Sequence, residues 1–224
     1  MIISKKHASK SLFIGLILTL LFTNVYAQDP IKIMLYGDSL MAGYGLSQKE
    51  NLTSELTRSF EENNPPAKFI NASISGNTSK NGLSRVEWSL GDHPSIVILC
   101  LGANDMLRGL DPSLTSNNLD LIISNFINNN SVVVLAGMKS PESMGVKYQL
   151  EFDSIYPELA KKYDLILMPF LLEGVALEKE MLLADYKHPS LLSRRRPLLS
   201  RRRPLLLRRR LLWPRRRPLL SRRR

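Results

Sequence analysis

The chain has 224 residues, enough for one α/β domain with a full core and short for two. Its formal charge of +11 misleads as a guide to partners, because residues 191–224 hold 15 of the 31 Lys+Arg residues and none of the 20 Asp+Glu. Residues 1–190 carry 16 basic against 20 acidic residues, a net of −4, so no nucleic acid is expected for the body. A single cysteine, Cys100, excludes an internal disulfide and a cysteine metal cluster, and its place in an apolar run reads as core.

Residues 1–27 have the layout of an export signal. Lys5, Lys6 and Lys10 form a basic start, residues 12–22 are apolar, and Val25-Tyr26-Ala27 puts small residues where a signal peptidase reads. The apolar run falls short of the roughly 20 residues that a membrane span needs. Cleavage near Ala27 and a periplasmic or secreted mature chain are expected, with an uncleaved anchor as the competing reading. From Gln28 to Ser190 strands and helices alternate. Strands are expected at 31–36, 68–71, 95–101, 131–136 and 165–168, from their apolar runs. Leu52, Leu56 and Phe60 fall at helical spacing, as do Leu119, Ile122, Ile123, Phe126 and Ile127, and a third helix is expected within 147–163. This order predicts an α/β domain with a mostly parallel central sheet and helices on both faces. After Ser190 come near-copies of Leu-Leu-Ser-Arg-Arg-Arg-Pro. Recurrent proline and arginine triplets argue against a packed core there, so 191–224 reads as a low-complexity tail expected to be disordered. A basic arm for anionic lipid or nucleic acid is the functional alternative.

Four pieces carry chemistry, three of them at the ends of expected strands. Tyr36-Gly37-Asp38-Ser39 puts a serine on a turn at the carboxyl edge of the first strand, where ligands sit in open α/β folds. Gly76 follows the second strand, and Gly102-Ala103-Asn104-Asp105 follows the third. Asp185-Tyr186-Lys187-His188-Pro189 lies near the end of the body. A serine hydroxyl is a weak nucleophile until a histidine takes its proton, and the histidine needs a carboxylate on its other nitrogen. Asp185 and His188, three residues apart, can present both side chains to one site. Oxyanion donors would come from the N–H groups of Ser39 and Gly76 and the side-chain amide of Asn104. Met106-Leu107-Arg108-Gly109-Leu110 is the expected wall of an acyl-binding groove, with Arg108 facing either solvent or an acidic head group. Asp38 and Asp105 are expected to hold the loops that carry Ser39 and Asn104. His93 reads as a loop residue at the opposite edge of the sheet.

In order, these pieces resemble the Gly-Asp-Ser-Leu, Gly, Gly-x-Asn-Asp and Asp-x-x-His blocks of the SGNH (GDSL) hydrolase superfamily. The likeness extends to its bacterial periplasmic acyl-CoA thioesterase/lysophospholipase/arylesterase branch, through residues 71–79, 102–112, 155–160 and 167–170. The resemblance implies a flavodoxin-like three-layer α/β/α fold, a Ser39/Asp185/His188 triad and an oxyanion hole of Ser39, Gly76 and Asn104. It implies neither metal nor cofactor. Two departures stand out. Tyr186 and Ser190 replace the glycine and asparagine usual around the histidine, and the arginine repeat stands where a closing helix normally follows. The loop bearing Asp185 and His188 is therefore expected to lack its downstream anchor, and one sheet face to lack apolar cover. The expected protein is a monomeric serine esterase or thioesterase acting on a small-molecule acyl ester or thioester. A carbohydrate-ester deacetylase, a basic binding protein and a hydrolase with a failed scaffold are the alternatives.

Overall fold

The computed structural model describes residues 30–61, 67–176, 178–190 and 193. The expected export signal (1–27), and all of the expected tail (191–224) except Ser193, lie outside the described residues. Five strands form one parallel sheet: β1 (Ile31–Gly37), β2 (Ala67–Asn71), β3 (Ile96–Cys100), β4 (Val132–Ala136) and β5 (Ile166–Met168), in the order β2-β1-β3-β4-β5. Each strand lies within a residue or two of its expected place, because a strand buried on both sides reads as a short unbroken apolar run. The helices are α1 (Ser39–Ala42), α2 (Leu52–Glu61), α3 (Ser79–Ser84), α4 (Val86–Leu90), α5 (Ala103–Leu107), α6 (Pro112–Asn128) and α7 (Val146–Tyr163). Among the described residues none of these is long and apolar enough to cross a membrane.

The register sorts the strand side chains onto two faces, since successive residues point opposite ways. Met34, Tyr36, Val97, Leu99, Val133 and Leu135 share one face, and none is more than 2% exposed. α3, α6 and α7 cover them: Phe126 meets Tyr36 edge-on at 5.1 Å, and the Tyr36 hydroxyl donates to Gly82 O at 2.6 Å. The other face is covered unevenly. Phe60 of α2 packs on Phe69, and Ile33 and Leu35 are buried, whereas Ile96, Ile98 and Val134 are half-buried and Val132 is 46% exposed. Side-chain exposure on this face rises toward β4. Cys100 is fully buried, and burial pushes its thiol pKa up, as befits a core residue.

The strand order opens a crevice above β1. From β1 the chain steps out to β2, then crosses back to β3 on the far side, so the neighbouring loops after β1 and β3 lead to long helices on opposite faces, α2 and α6. The β3 loop begins at Gly102, whose φ of 111° is open to glycine and closed to most L-residues. A Cβ there would also run into the hydroxyl of Tyr156, which donates to Leu101 O at 3.0 Å. Gly102→Ala is therefore expected to destabilise the fold by about 2–4 kcal/mol, combining backbone strain with overpacking. Urea unfolding checks this, and a variant as stable as the parent would contradict the packing described.

Candidate active site

β1 delivers Asp38 and Ser39 directly onto α1. Asp38 Oδ1 accepts the Leu40 N–H at 3.0 Å and caps the helix. Ser39 Oγ lies 2.7 Å from His188 Nε2, and His188 Nδ1 lies 2.5 Å from Asp185 Oδ2. An ionised carboxylate only accepts, so Nδ1 carries the proton and Nε2 accepts from the serine hydroxyl. The other oxygen, Asp185 Oδ1, accepts the N–H groups of Lys187 at 3.0 Å and His188 at 3.1 Å. The Lys187 N–H, then the His188 ring, hold the Asp185 carboxyl down to about 2, so it stays charged in all but strong acid.

The loop bearing Asp185 and His188 holds itself together. Leu182 and Pro189 form an antiparallel bridge, the Leu183 N–H donates to His188 O, and the Ser190 N–H donates to Met181 O, both at 2.7 Å. Among the described residues the loop is thus tied to its own upstream end, residues 181–183, and downstream Ser193 bonds Ser190 O through its N–H and its hydroxyl. Tyr186, at the position usually held by glycine, has a φ of 55°, a conformation that costs a non-glycine residue roughly 1–2 kcal/mol. The Tyr44 ring lies against the His188 imidazole with centroids 4.6 Å apart.

The three expected oxyanion donors border the same crevice. Ser39 N–H sits in the first turn of α1, where a helix supplies no internal partner. Gly76 has a φ of 82°, and its carbonyl accepts from Arg108 Nη2 at 3.0 Å. Asn104 Nδ2 donates to Asn77 O at 3.0 Å and faces Asp38 Oδ2 at 3.4 Å, the longer contact being the weaker one for a ligand oxygen to displace. Along the expected groove wall, Leu107 is 56% exposed and Leu110 36%, with Gly109 and Arg108 also at the surface. Met106 instead shares the buried side of α5 with Ala103 and packs in the core.

Asp105 is buried and binds away from the crevice. It accepts the Ser79 N–H at 2.8 Å and hydroxyl at 2.5 Å, and the Thr115 hydroxyl at 3.3 Å, tying α5 to α3 and α6. His93 lies in the loop before β3, at the opposite edge of the sheet from Ser39. Sequence reasoning did not single out Tyr44 or Arg85. Their contacts join segments distant in the chain, and neither belongs to a local motif. No group of His, Cys, Asp and Glu among the described residues has the arrangement of a metal site.

Residues 35–193 match the GDSL-like Lipase/Acylhydrolase family, and the chain belongs to that family. It is 38% identical over 164 residues to an arylesterase of Vibrio mimicus, covering 73% of this chain and 82% of the relative. Thioesterase 1/protease 1/lysophospholipase L1 of Escherichia coli K12 is 36% identical over 176 residues, covering 78% of this chain and 82% of the relative. Among solved structures, the SGNH-hydrolase family esterase AlinE4 is 40% identical, with a TM-score of 0.68 over 72% of this chain and 87% of AlinE4. The protein is accordingly a serine hydrolase of the SGNH type.

Asp38 leaves a pH signature. It is fully buried, and burial raises its carboxyl to about 6, against the Leu40 N–H bond and the nearby His188, which lower it. The folded state therefore keeps a proton that the unfolded chain, with a carboxyl near 3.9, releases. Stability attributable to Asp38 is present at pH 4 and falls as pH rises to 6, by on the order of 2–3 kcal/mol. Asp38→Asn is expected to gain on the parent by that amount between pH 4 and pH 7, whatever its constant offset. Urea midpoints at the two pH values measure it, and parallel profiles would refute it.

Proposed function

We propose that the protein is an exported serine esterase/thioesterase that hydrolyses small acyl esters or thioesters through an acyl-enzyme. The observation that carries this reading is the unbroken hydrogen-bonded line from the Ser39 hydroxyl through His188 to Asp185. As the Ser39 oxygen attacks the acyl carbonyl, His188 Nε2 takes its proton, and the imidazolium is stabilised by the anionic Asp185 on Nδ1. Negative charge developing on the carbonyl oxygen is met by the N–H groups of Ser39 and Gly76 and the Asn104 amide. His188 returns the proton to the departing alcohol or thiol. Water, deprotonated by the same imidazole, then releases the carboxylic acid and restores Ser39.

The names of the relatives support aryl esters, acyl thioesters and lysophospholipids as the substrate classes to test. Exposed Leu107 and Leu110 beside Asn104 favour an acyl chain over a bulky polar sugar ester. Export rests on residues 1–27, and the body is taken to act as a monomer without cofactor. The 191–224 segment is given no part in the chemistry; its charge would show as salt-sensitive retention on anionic lipid or nucleic acid.

Labelling with a fluorophosphonate probe tests the assignment. Labelling is expected to be lost in Ser39→Ala and to slow sharply in His188→Ala. With an aryl ester, Asp185→Asn should lower kcat by about 10⁴ and Asn104→Ala by about 10²–10³. A Ser39→Ala protein that still turns over ester would end this reading.

A further inference from the structure

We infer that Arg85 is a positioning residue for the Asn104 oxyanion donor, acting through Asn77 rather than touching substrate. It sits at the junction of α3 and α4, half-buried, with its guanidinium 4.0 Å above the Tyr36 ring. From there it donates to three groups on two segments, the end of β1 and the loop after β2. Nη2 reaches Gly37 O at 3.1 Å, Nη1 reaches Ala72 O at 2.5 Å, and Nε reaches Asn77 Oδ1 at 2.9 Å. Gly37 stands two residues before Ser39, Ala72 directly follows β2, and Asn77 follows Gly76. Two backbone carbonyls thus fix the planar fork in place, and its third arm holds the Asn77 side chain.

The link to Asn104 runs through one residue. Asn77 Oδ1 is held by Arg85, while the Asn77 carbonyl accepts the Asn104 amide at 3.0 Å. Holding the Asn77 side chain fixes the direction in which its carbonyl points, and so the aim of the second N–H of Asn104. On the far side Arg108 grips the Gly76 carbonyl, so the 76–77 peptide is held between two guanidinium groups. A donor displaced by even an ångström loses most of its value to a developing oxyanion, whereas a ground-state ester senses little change. Arg85 therefore affects kcat and leaves KM nearly untouched.

The inference rests on the oxyanion assignment of Asn104, and the experiment separates the two. The full chain would carry Arg85→Lys, Arg85→Met, Asn77→Ala, Asn104→Ala and the Arg85→Met/Asn104→Ala pair, assayed with a p-nitrophenyl ester at a temperature where circular dichroism shows each folded. Arg85→Lys keeps the cation near Tyr36 but loses the fork; with Asn77→Ala it guards against a loss that is merely structural. The expected result is a kcat lowered about 10–100-fold in the Arg85 and Asn77 variants, with KM within about threefold. In the Asn104→Ala background, Arg85→Met should cost no more than about a further threefold, since interacting sites are non-additive. Losses that multiply in full, or an Asn104-dependent enzyme indifferent to Arg85→Lys and Asn77→Ala, would overturn the Arg85 inference alone. An undiminished kcat in Asn104→Ala would overturn the oxyanion reading and this inference with it.

Discussion

β1 pairs with β2 on one side and β3 on the other, all parallel, and the site depends on that neighbourhood. Gly37 pairs with Cys100, so the turn carrying Ser39 and the loop carrying Asn104 leave the sheet side by side. The β2 loop arrives on the opposite flank, where the Ile74 N–H donates to Gly37 O at 3.1 Å. Three chain segments far apart in sequence thus meet over one strand end. Parallel pairing sends every strand's carboxyl end to the same edge, and the order reversal at β1 keeps that edge open.

Polar groups at this edge are held mostly by backbone and by one another. Arg85 bonds two carbonyls and an amide, Asp105 collects bonds from two other helices, and Asp38 divides its oxygens between a helix cap and Asn104. Such saturation is what a buried polar group needs to avoid a desolvation cost. It also limits how far Ser39, Gly76 and Asn104 can drift. Asp38 is the exception to full compensation. Its carboxyl has no cationic partner among these bonds, which is why burial dominates its ionisation.

The sheet was legible because buried parallel strands announce themselves as apolar runs, and the long helices because 17 and 18 residues leave room for a repeating stripe. The four- to six-residue helices α1, α3, α4 and α5 were not. Ser79-Lys80-Asn81-Gly82-Leu83-Ser84 has no apolar period; what marks it as a helix is the Thr78–Asn81 capping box and packing of Gly82 against Leu101. At the site, Ser39, Gly76, Asn104, Asp185 and His188 were legible as candidates because each lies in a short local motif. Met106 shows the limit of that approach, since a five-residue helix has no apolar period to say which side chains turn inward. Arg85 and Tyr44 owe their importance to tertiary contacts and left no local mark.

The Ser39–His188 hydrogen bond spans 149 positions, yet β1 to β5 are complete by Met168. Beyond the sheet, the segment bearing Asp185 and His188 makes contacts among the described residues within itself and to residues 39–45, through the Ser39 bond, the Tyr44 ring and the approach of Leu183 to Gly45. Such a flap can lift without disturbing a single strand, at a cost well below that of global unfolding. Under the proposed assignment, loss of hydrolysis and loss of fold become separate events. Mild denaturant or warmth would silence the molecule while its sheet remained whole, and cooling would restore it without refolding.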